Sequence, residues 1–147
     1  MVIRRVTEGD LDELVPLMVA YCDFYEVSPG EAALRELAAA LLADPVHEGV
    51  QLLARRDGKA VGFATVYWCW STSLAARIGL MNDLFVVAEA RGSGIADALI
   101  AACLDEVRSH GAARLEWATA PDNARARGVY DRVGGRAETW IEYTLDA

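Results

Sequence analysis

Long apolar runs are missing from this chain. Charges interrupt every hydrophobic stretch before the ~18–20 residues that a bilayer span needs, so no membrane-spanning segment is expected. The opening MVIRRVTEGD turns acidic where an export signal needs its apolar centre, so no export signal is expected. Cysteine is scarce. Cys22, Cys69 and Cys103 show neither a CxxC pair nor framework spacing, which excludes a disulfide scaffold and suits a reducing, cytoplasmic setting. The two histidines, His47 and His110, lie far apart near element ends. They read as surface residues, and no metal site is expected from them. Positive charge is also short: 14 Lys and Arg stand against 22 Asp and Glu, a net charge of −8. Nucleic acid needs a basic footprint, so it is excluded as a non-specific partner, whereas cationic amines remain compatible.

What is present is an ordinary globular composition, 54% hydrophobic and 24% charged over 147 residues, enough for one domain spanning 1–147. Residues 2–6 read as a strand. Thr7 or Asp10 offers a cap for a helix to about Tyr25, whose Leu11, Leu14, Val15, Met18, Val19 and Cys22 keep helical spacing. Pro16 is expected to kink that helix or to sit near its first turn. Ser28-Pro29-Gly30-Glu31 reads as the start of a second helix capped by Ser28, and Asp44-Pro45 stops it. Val50–Ala54 and Ala60–Trp70 are strands joined across Asp57-Gly58, a hairpin signal. A strand over Ile78–Val87, a helix from about Gly92 to His110, a strand over Arg114–Ala118, a helix over Asn123–Val133 and a last strand over Ala137–Leu145 complete the chain. The order β-α-α-β-β-β-α-β-α-β predicts a mixed α/β sheet with helices on both faces.

The junction that carries chemistry is Leu84-Phe85-Val86-Val87 running through Ala88-Glu89-Ala90-Arg91-Gly92-Ser93-Gly94-Ile95-Ala96 into a long helix. Small residues let backbone N–H groups approach a ligand, and the helix start adds unpaired donors and a positive dipole end. A pyrophosphate suits such a place, with Arg91 beside it. The same turn also reads as a glycine-rich connection with no ligand. A dinucleotide fingerprint fails because Asp97 stands where the third glycine belongs, and a P-loop fails because the Gly-Lys-Ser/Thr ending is absent.

Arg91-x-x-Gly94-x-Ala96 resembles the Arg/Gln-x-x-Gly-x-Gly/Ala signature of the GNAT superfamily of acyl-CoA-dependent N-acyltransferases. Ala120–Gly135, with Asn123, Ala126, Tyr130 and Gly134, resembles that family's next characteristic segment, and the element order is similar along nearly the whole chain. The stretch Asn82-Asp83-Leu84-Phe85-Val86 looks most like the polyamine and small-amine branch. The resemblance implies an N-acetyltransferase that moves an acetyl group from acetyl-CoA to a primary amine by direct attack in a ternary complex. Its alternatives are a non-catalytic acyl-CoA-binding module or an acetyltransferase of a protein N-terminus or lysine. It implies that the CoA pyrophosphate sits on Arg91, Gly92, Ser93, Gly94, Ile95 and Ala96, with Asn123 nearby. The pantetheine arm is implied along Phe85, Val86 and Val87, in a slot opened by splaying from Leu115–Ala118. A backbone N–H near Phe85 or Val86 would hold the developing oxyanion.

By resemblance Tyr130 is the acid that protonates the leaving thiolate, although Ala126, Val129, Tyr130 and Val133 also read as a buried helix stripe. Asp83 follows the family's acidic position, either as a water-relayed base and ammonium site or as a strand carboxylate paired to an arginine. The amine branch often carries two adjacent acids, and here the first is Asn82. Asp23, Tyr25, Glu26 and Asn82 are candidates for the acceptor pocket; Asp23, Tyr25 and Glu26 equally read as a solvated helix end. No cysteine is placed as a nucleophile. Trp68 and Trp70 read as core or dimer contacts, and the apolar third strand and final segment fit a homodimer.

Overall fold

A computed structural model describes residues 1–147. Five strands, β1 (Val2–Arg5), β2 (Gly49–Arg56), β3 (Lys59–Ser71), β4 (Ala76–Val86) and β5 (Leu115–Glu116), form one sheet in the order β1-β2-β3-β4-β5. The first four are antiparallel, and β5 joins β4 in parallel. Four helices accompany it: α1 (Leu11–Phe24), α2 (Glu31–Ala43), α3 (Ile95–His110) and α4 (Ala124–Arg132). The parallel pair requires a crossover, and α3 supplies it.

Helices cover both faces, as the element order predicts. On one face Leu99, Ile100, Cys103 and Val107 of α3 pack on Leu52, Ala64, Val66 and Met81. On the other, Leu14, Val15, Met18, Leu34 and Ala38 of α1 and α2 pack on Leu53 and Phe63. Asp57 and Gly58 sit at φ 54° and 80°, the left-handed pair that the β2–β3 hairpin turn demands. Asp10 is buried, and it accepts from Arg4 at 2.7 Å and Arg55 at 2.9 Å, fixing the start of α1 to β1 and β2.

Four expectations need correction. Ser28 does not cap α2; Gly30 occupies that position at φ 95°, where glycine bears no steric penalty. Strand β5 is two residues long, because its chain turns away from β4 after Glu116. His110 is not a free surface residue: its ring stacks on Trp68 at 3.9 Å and it bonds the Val46 carbonyl at 2.8 Å. The strand expected at Ala137–Leu145 does not form, since no strand of the same chain lies beside it. Trp68 is core, while Trp70 is 71% exposed under the Arg77 guanidinium.

Candidate active site

Strand β4 is paired on one side throughout and on the other only briefly. Its partners across β5 are Gly79 with Leu115 and Leu80 with Glu116. From Met81 onward that edge of β4 is open, so the expected splay is present. A bulge marks the opening: Val66 faces Met81 and Thr65 faces Asp83, leaving Asn82 as the extra residue. Antiparallel ladders alternate the direction of successive N–H groups. The Val87 N–H donates to the Val61 carbonyl at 3.0 Å, so the Phe85 N–H also turns to β3 and the Val86 N–H turns to the open edge. Of the three residues expected beside the pantetheine arm, Phe85 and Val87 therefore have their N–H groups turned to the sheet, and of the two expected oxyanion donors only the Val86 N–H faces the open edge.

The loop after β4 is held from within. Arg91 Nε donates to the Val86 carbonyl at 2.8 Å, and Ser93 Oγ donates to the Ala90 carbonyl at 2.6 Å. Gly92 and Gly94 adopt φ 77° and 81°, conformations that favour glycine. A Cβ at either would meet nothing within 4 Å, so both face open space. Gly94 caps α3 and no side chain closes that helix start. Ile95 departs from its expected use in one respect: its side chain is buried core, leaving only its backbone for the loop. This loop fits an anionic group, because its donors are backbone N–H groups at a helix start with room in front of them.

Beside the loop lies a cleft of about 210 Å³, lined by Phe85, Val86, Arg91, Ala96, Asn123 and Tyr130 among others. Tyr21 and Phe24 of α1, with Tyr25 just past its end, form its far wall. Asn123 also accepts from the Ala126 N–H at 3.2 Å, capping α4. Tyr130 is half-buried, its ring edge-on to Trp117 at 5.4 Å, and burial raises its phenol above the ordinary value with a further contribution from Tyr25. The side chains of Asp97, in the first turn of α3, and Arg132 of α4 are doubly bonded at 2.8 Å, so the loop and Tyr130 belong to one braced unit.

Asp83 is buried on the α1 side of β4, and no arginine pairs with it. Burial raises its carboxyl above the ordinary carboxylate value, opposed by the polar groups of Thr65, Asn82 and Tyr21 beside it. Asn82 Nδ2 donates to it at 2.9 Å. Tyr21, whose hydroxyl donates to the Asn82 carbonyl at 3.2 Å, stands between Asp83 and the cleft. Asn82 itself is exposed. Asp23 and Glu26 are exposed at the end of α1 and do not line the cleft, whereas Tyr25 does.

Tyr21, Phe24 and Thr65 were not anticipated as site residues. The spacing of Tyr21, Phe24 and Tyr25 on one end of α1 was a readable signal of an aromatic wall; the hydroxyl of Thr65 inside an apolar strand was not. Burial pushes the Cys103 thiol up to about 12, which leaves it unsuited to attack. No three His, Cys, Asp or Glu side chains converge as metal ligands, and no helix is long and apolar enough to cross a membrane. A hollow of about 430 Å³ at the other end of the sheet contains Arg5, His47 and Arg77, but these already meet Glu106, Asp44 and the Trp70 ring.

A mixed sheet splayed beside a glycine-rich helix start defines a class of acyl-transfer enzymes. The chain belongs to the acetyltransferase (GNAT) family, whose sequence profile matches residues 14–135. It is 32% identical over 147 residues to the uncharacterized N-acetyltransferase YhfO of Bacillus subtilis, covering 99% of this chain and 97% of that protein. The aminoalkylphosphonate N-acetyltransferase of Salmonella typhimurium is 31% identical over 133 residues, covering 90% of this chain and 82% of that one. A crystal structure of a probable acetyltransferase superposes with a TM-score of 0.87 at 31% identity, covering 100% of this chain and 98% of the other. The chain is thus an N-acetyltransferase of the family that uses acetyl-CoA as donor.

Proposed function

We propose that this enzyme transfers the acetyl group of acetyl-CoA to a small primary amine by direct attack within a ternary complex. The observation that carries the reading is the open edge of β4 at Val86, joined by the glycine-rich loop to the start of α3, which no side chain closes. Acetyl-CoA supplies an acyl thioester on an extended anionic carrier. Arg91, Gly92, Ser93, Gly94, Ile95 and Ala96 are assigned to its pyrophosphate through their backbone and the Arg91 charge, and Asn123 to the same cleft. Phe85, Val86 and Val87 are assigned to the slot, with the Val86 N–H as the donor to developing negative charge, an effect of about 3–4 kcal/mol where measured elsewhere.

Tyr130 is assigned as the acid. Its raised phenol stays protonated near neutrality, which suits donation to a departing thiolate. Asp83 is assigned to hold the ammonium and take its proton through Tyr21 or water, since its carboxylate lies behind the cleft wall. The aromatic wall of Tyr21, Phe24 and Tyr25 supports an acceptor with an apolar or cationic body, as in the small-amine branch. Asn82, at the bulge, belongs to the acceptor side with them. A homodimer in a cytoplasmic setting completes the proposal; the three free thiols Cys22, Cys69 and Cys103 suit that compartment.

The test is a panel of free amines and lysine-containing peptides with acetyl-CoA, following thiol release. Rapid release with one class of small amine is the expected result. Release only with peptides would move the acceptor to a protein terminus or lysine.

A further inference from the structure

Three polar side chains lie where the sheet face under α1 is otherwise apolar. Gln51 of β2 stands directly opposite Thr65 of β3, and Thr65 stands directly opposite Asp83 of β4. Residues paired in this way point to one face, so the three form a single row across the sheet. The neighbouring row on that face is Leu53, Phe63 and Phe85, part of the apolar cluster that α1 and α2 cover. Gln51 is 4% exposed, Thr65 0% and Asp83 7%. Burying polar groups in such a place is unfavourable unless each gains a partner.

Gln51 Nε2 donates to Thr65 Oγ1 at 3.1 Å and reaches the Met18 sulfur at 3.7 Å, while Gln51 Oε1 meets no donor. An amide turned over would satisfy Oε1 with the Thr65 hydroxyl proton. The orientation present leaves that oxygen bare and leaves Thr65 its proton. A hydroxyl whose oxygen already accepts still has one donor free, and the polar group directly opposite is the Asp83 carboxyl. Around that carboxyl stand Tyr21 and Cys22 of α1, Tyr67 of β3 and the neighbouring Asn82, with no cation among them. Burial first, and then the Asp83 charge, holds the protons of Tyr21, Cys22 and Tyr67 more tightly, Tyr67 up to about 12. These three are therefore neutral near pH 7, and apart from burial only neutral donors set how readily Asp83 ionises.

We infer that Gln51 and Thr65 are positioning residues for the reaction: Gln51 fixes the Thr65 hydroxyl, and Thr65 donates to the Asp83 carboxylate, holding it in place behind Tyr21 to receive the ammonium proton. A donor to the ionised form favours that form, so the row offsets part of the penalty that burial places on Asp83 as a base. Chained hydrogen bonds strengthen one another in a low-dielectric interior, which is how Gln51 acts on Asp83 without touching it. Neither Gln51 nor Thr65 lines the cleft, so both act through Asp83 and not on the acceptor or CoA.

This inference rests on the assignment of Asp83 as the group that takes the ammonium proton, and two measurements keep the two apart. The first needs no turnover: NMR titration of the Asp83 carboxyl carbon in the native chain, Thr65→Val, Thr65→Ser and Gln51→Met. Thr65→Val is expected to raise the Asp83 midpoint by roughly one pH unit, the scale on which a lost donor to a carboxylate acts. Gln51→Met is expected to raise it by less, and Thr65→Ser, which keeps the hydroxyl, to leave it near the native value. The second measurement is the pH dependence of kcat/KM for the amine, whose acid limb is expected to move to higher pH in the same order, with CoA affinity unchanged. A folded Thr65→Val or Gln51→Met whose Asp83 midpoint is unmoved, or falls, strikes that residue from the row, even if its melting temperature drops. Should Thr65→Val misfold, Gln51→Met decides alone. Carboxyl shifts without a shift in the rate profile support the row's hold on Asp83 and overturn instead the assignment of Asp83 as the base.

Discussion

Asp83 and Tyr130 are the residues at which burial and chemistry pull in different directions. A buried carboxylate without a cationic partner is an energetic cost. Its raised pKa means that the folded protein holds this proton over a range where the unfolded chain, near pH ~4, has released it. Stability from Asp83 is therefore present at low pH and is lost as pH rises through the raised value. Asp83→Asn removes that cost, so at pH 7 the melting temperature is expected to hold or rise. The same substitution is expected to raise the amine KM and move the pH–rate profile to higher pH, with CoA affinity unchanged. A lower melting temperature with parental kinetics would return Asp83 to a structural role. Tyr130→Phe removes one hydroxyl and keeps the ring against Trp117. Stability is expected to stay within about 1 kcal/mol, while kcat falls ~10²–10⁴-fold, the usual loss for a general acid. Turnover at the parental rate would assign the acid to another group.

The element on which the site depends is the junction of β4, its following loop and α3. Most of it is legible in the sequence, because glycines at 92 and 94 and the small residues around them have few uses other than a turn with room for a ligand. The crossover helix and the Asp57-Gly58 hairpin are legible for the same reason: local chemistry dictates local shape. What escapes the sequence is decided by other parts of the chain. The bulge at Asn82 depends on how β4 registers against β3, and the placement of Asp83 behind Tyr21 depends on how α1 packs. Asp23 and Glu26, attractive as charges, lie on the wrong side of the α1 terminus, where Phe24 and Tyr25 turn to the cleft. The last strand, expected over Ala137–Leu145, does not form, because alternating apolar residues give strand character but cannot tell whether a neighbouring strand will be there to pair with. Gly94→Val tests the junction. The new side chain meets no protein atom, yet φ 81° strains it and it occupies the space assigned to pyrophosphate. CoA affinity is expected to fall at least ~tenfold, about 1.4 kcal/mol, by calorimetry on the folded variant. Unchanged affinity would remove the loop from the site.

At the scale of the whole molecule, the site is a seam between parts that are otherwise weakly joined. Strand β4 and the start of α3 lie on one side, while the short β5 and α4 on the other are tied across by Asp97 and Arg132. A ligand seated in the seam binds only the folded arrangement, so it stabilises by mass action. At one hundred times its dissociation constant the gain is about 2.7 kcal/mol. For a chain of this length, each kcal/mol raises the melting temperature by roughly 2–4 °C, so CoA is expected to shift it by about 5–11 °C. The variants divide this effect cleanly. Tyr130→Phe keeps the loop and the open edge, and its shift is expected to match the parent's. Asp83→Asn is expected to do the same from an equal or higher starting temperature. Gly94→Val is expected to lose most of the shift at equal CoA concentration. A thermal scan of the four proteins with and without CoA checks all of this in one experiment. A full shift in Gly94→Val together with a lost shift in Tyr130→Phe would place the carrier at α4 instead of at the start of α3.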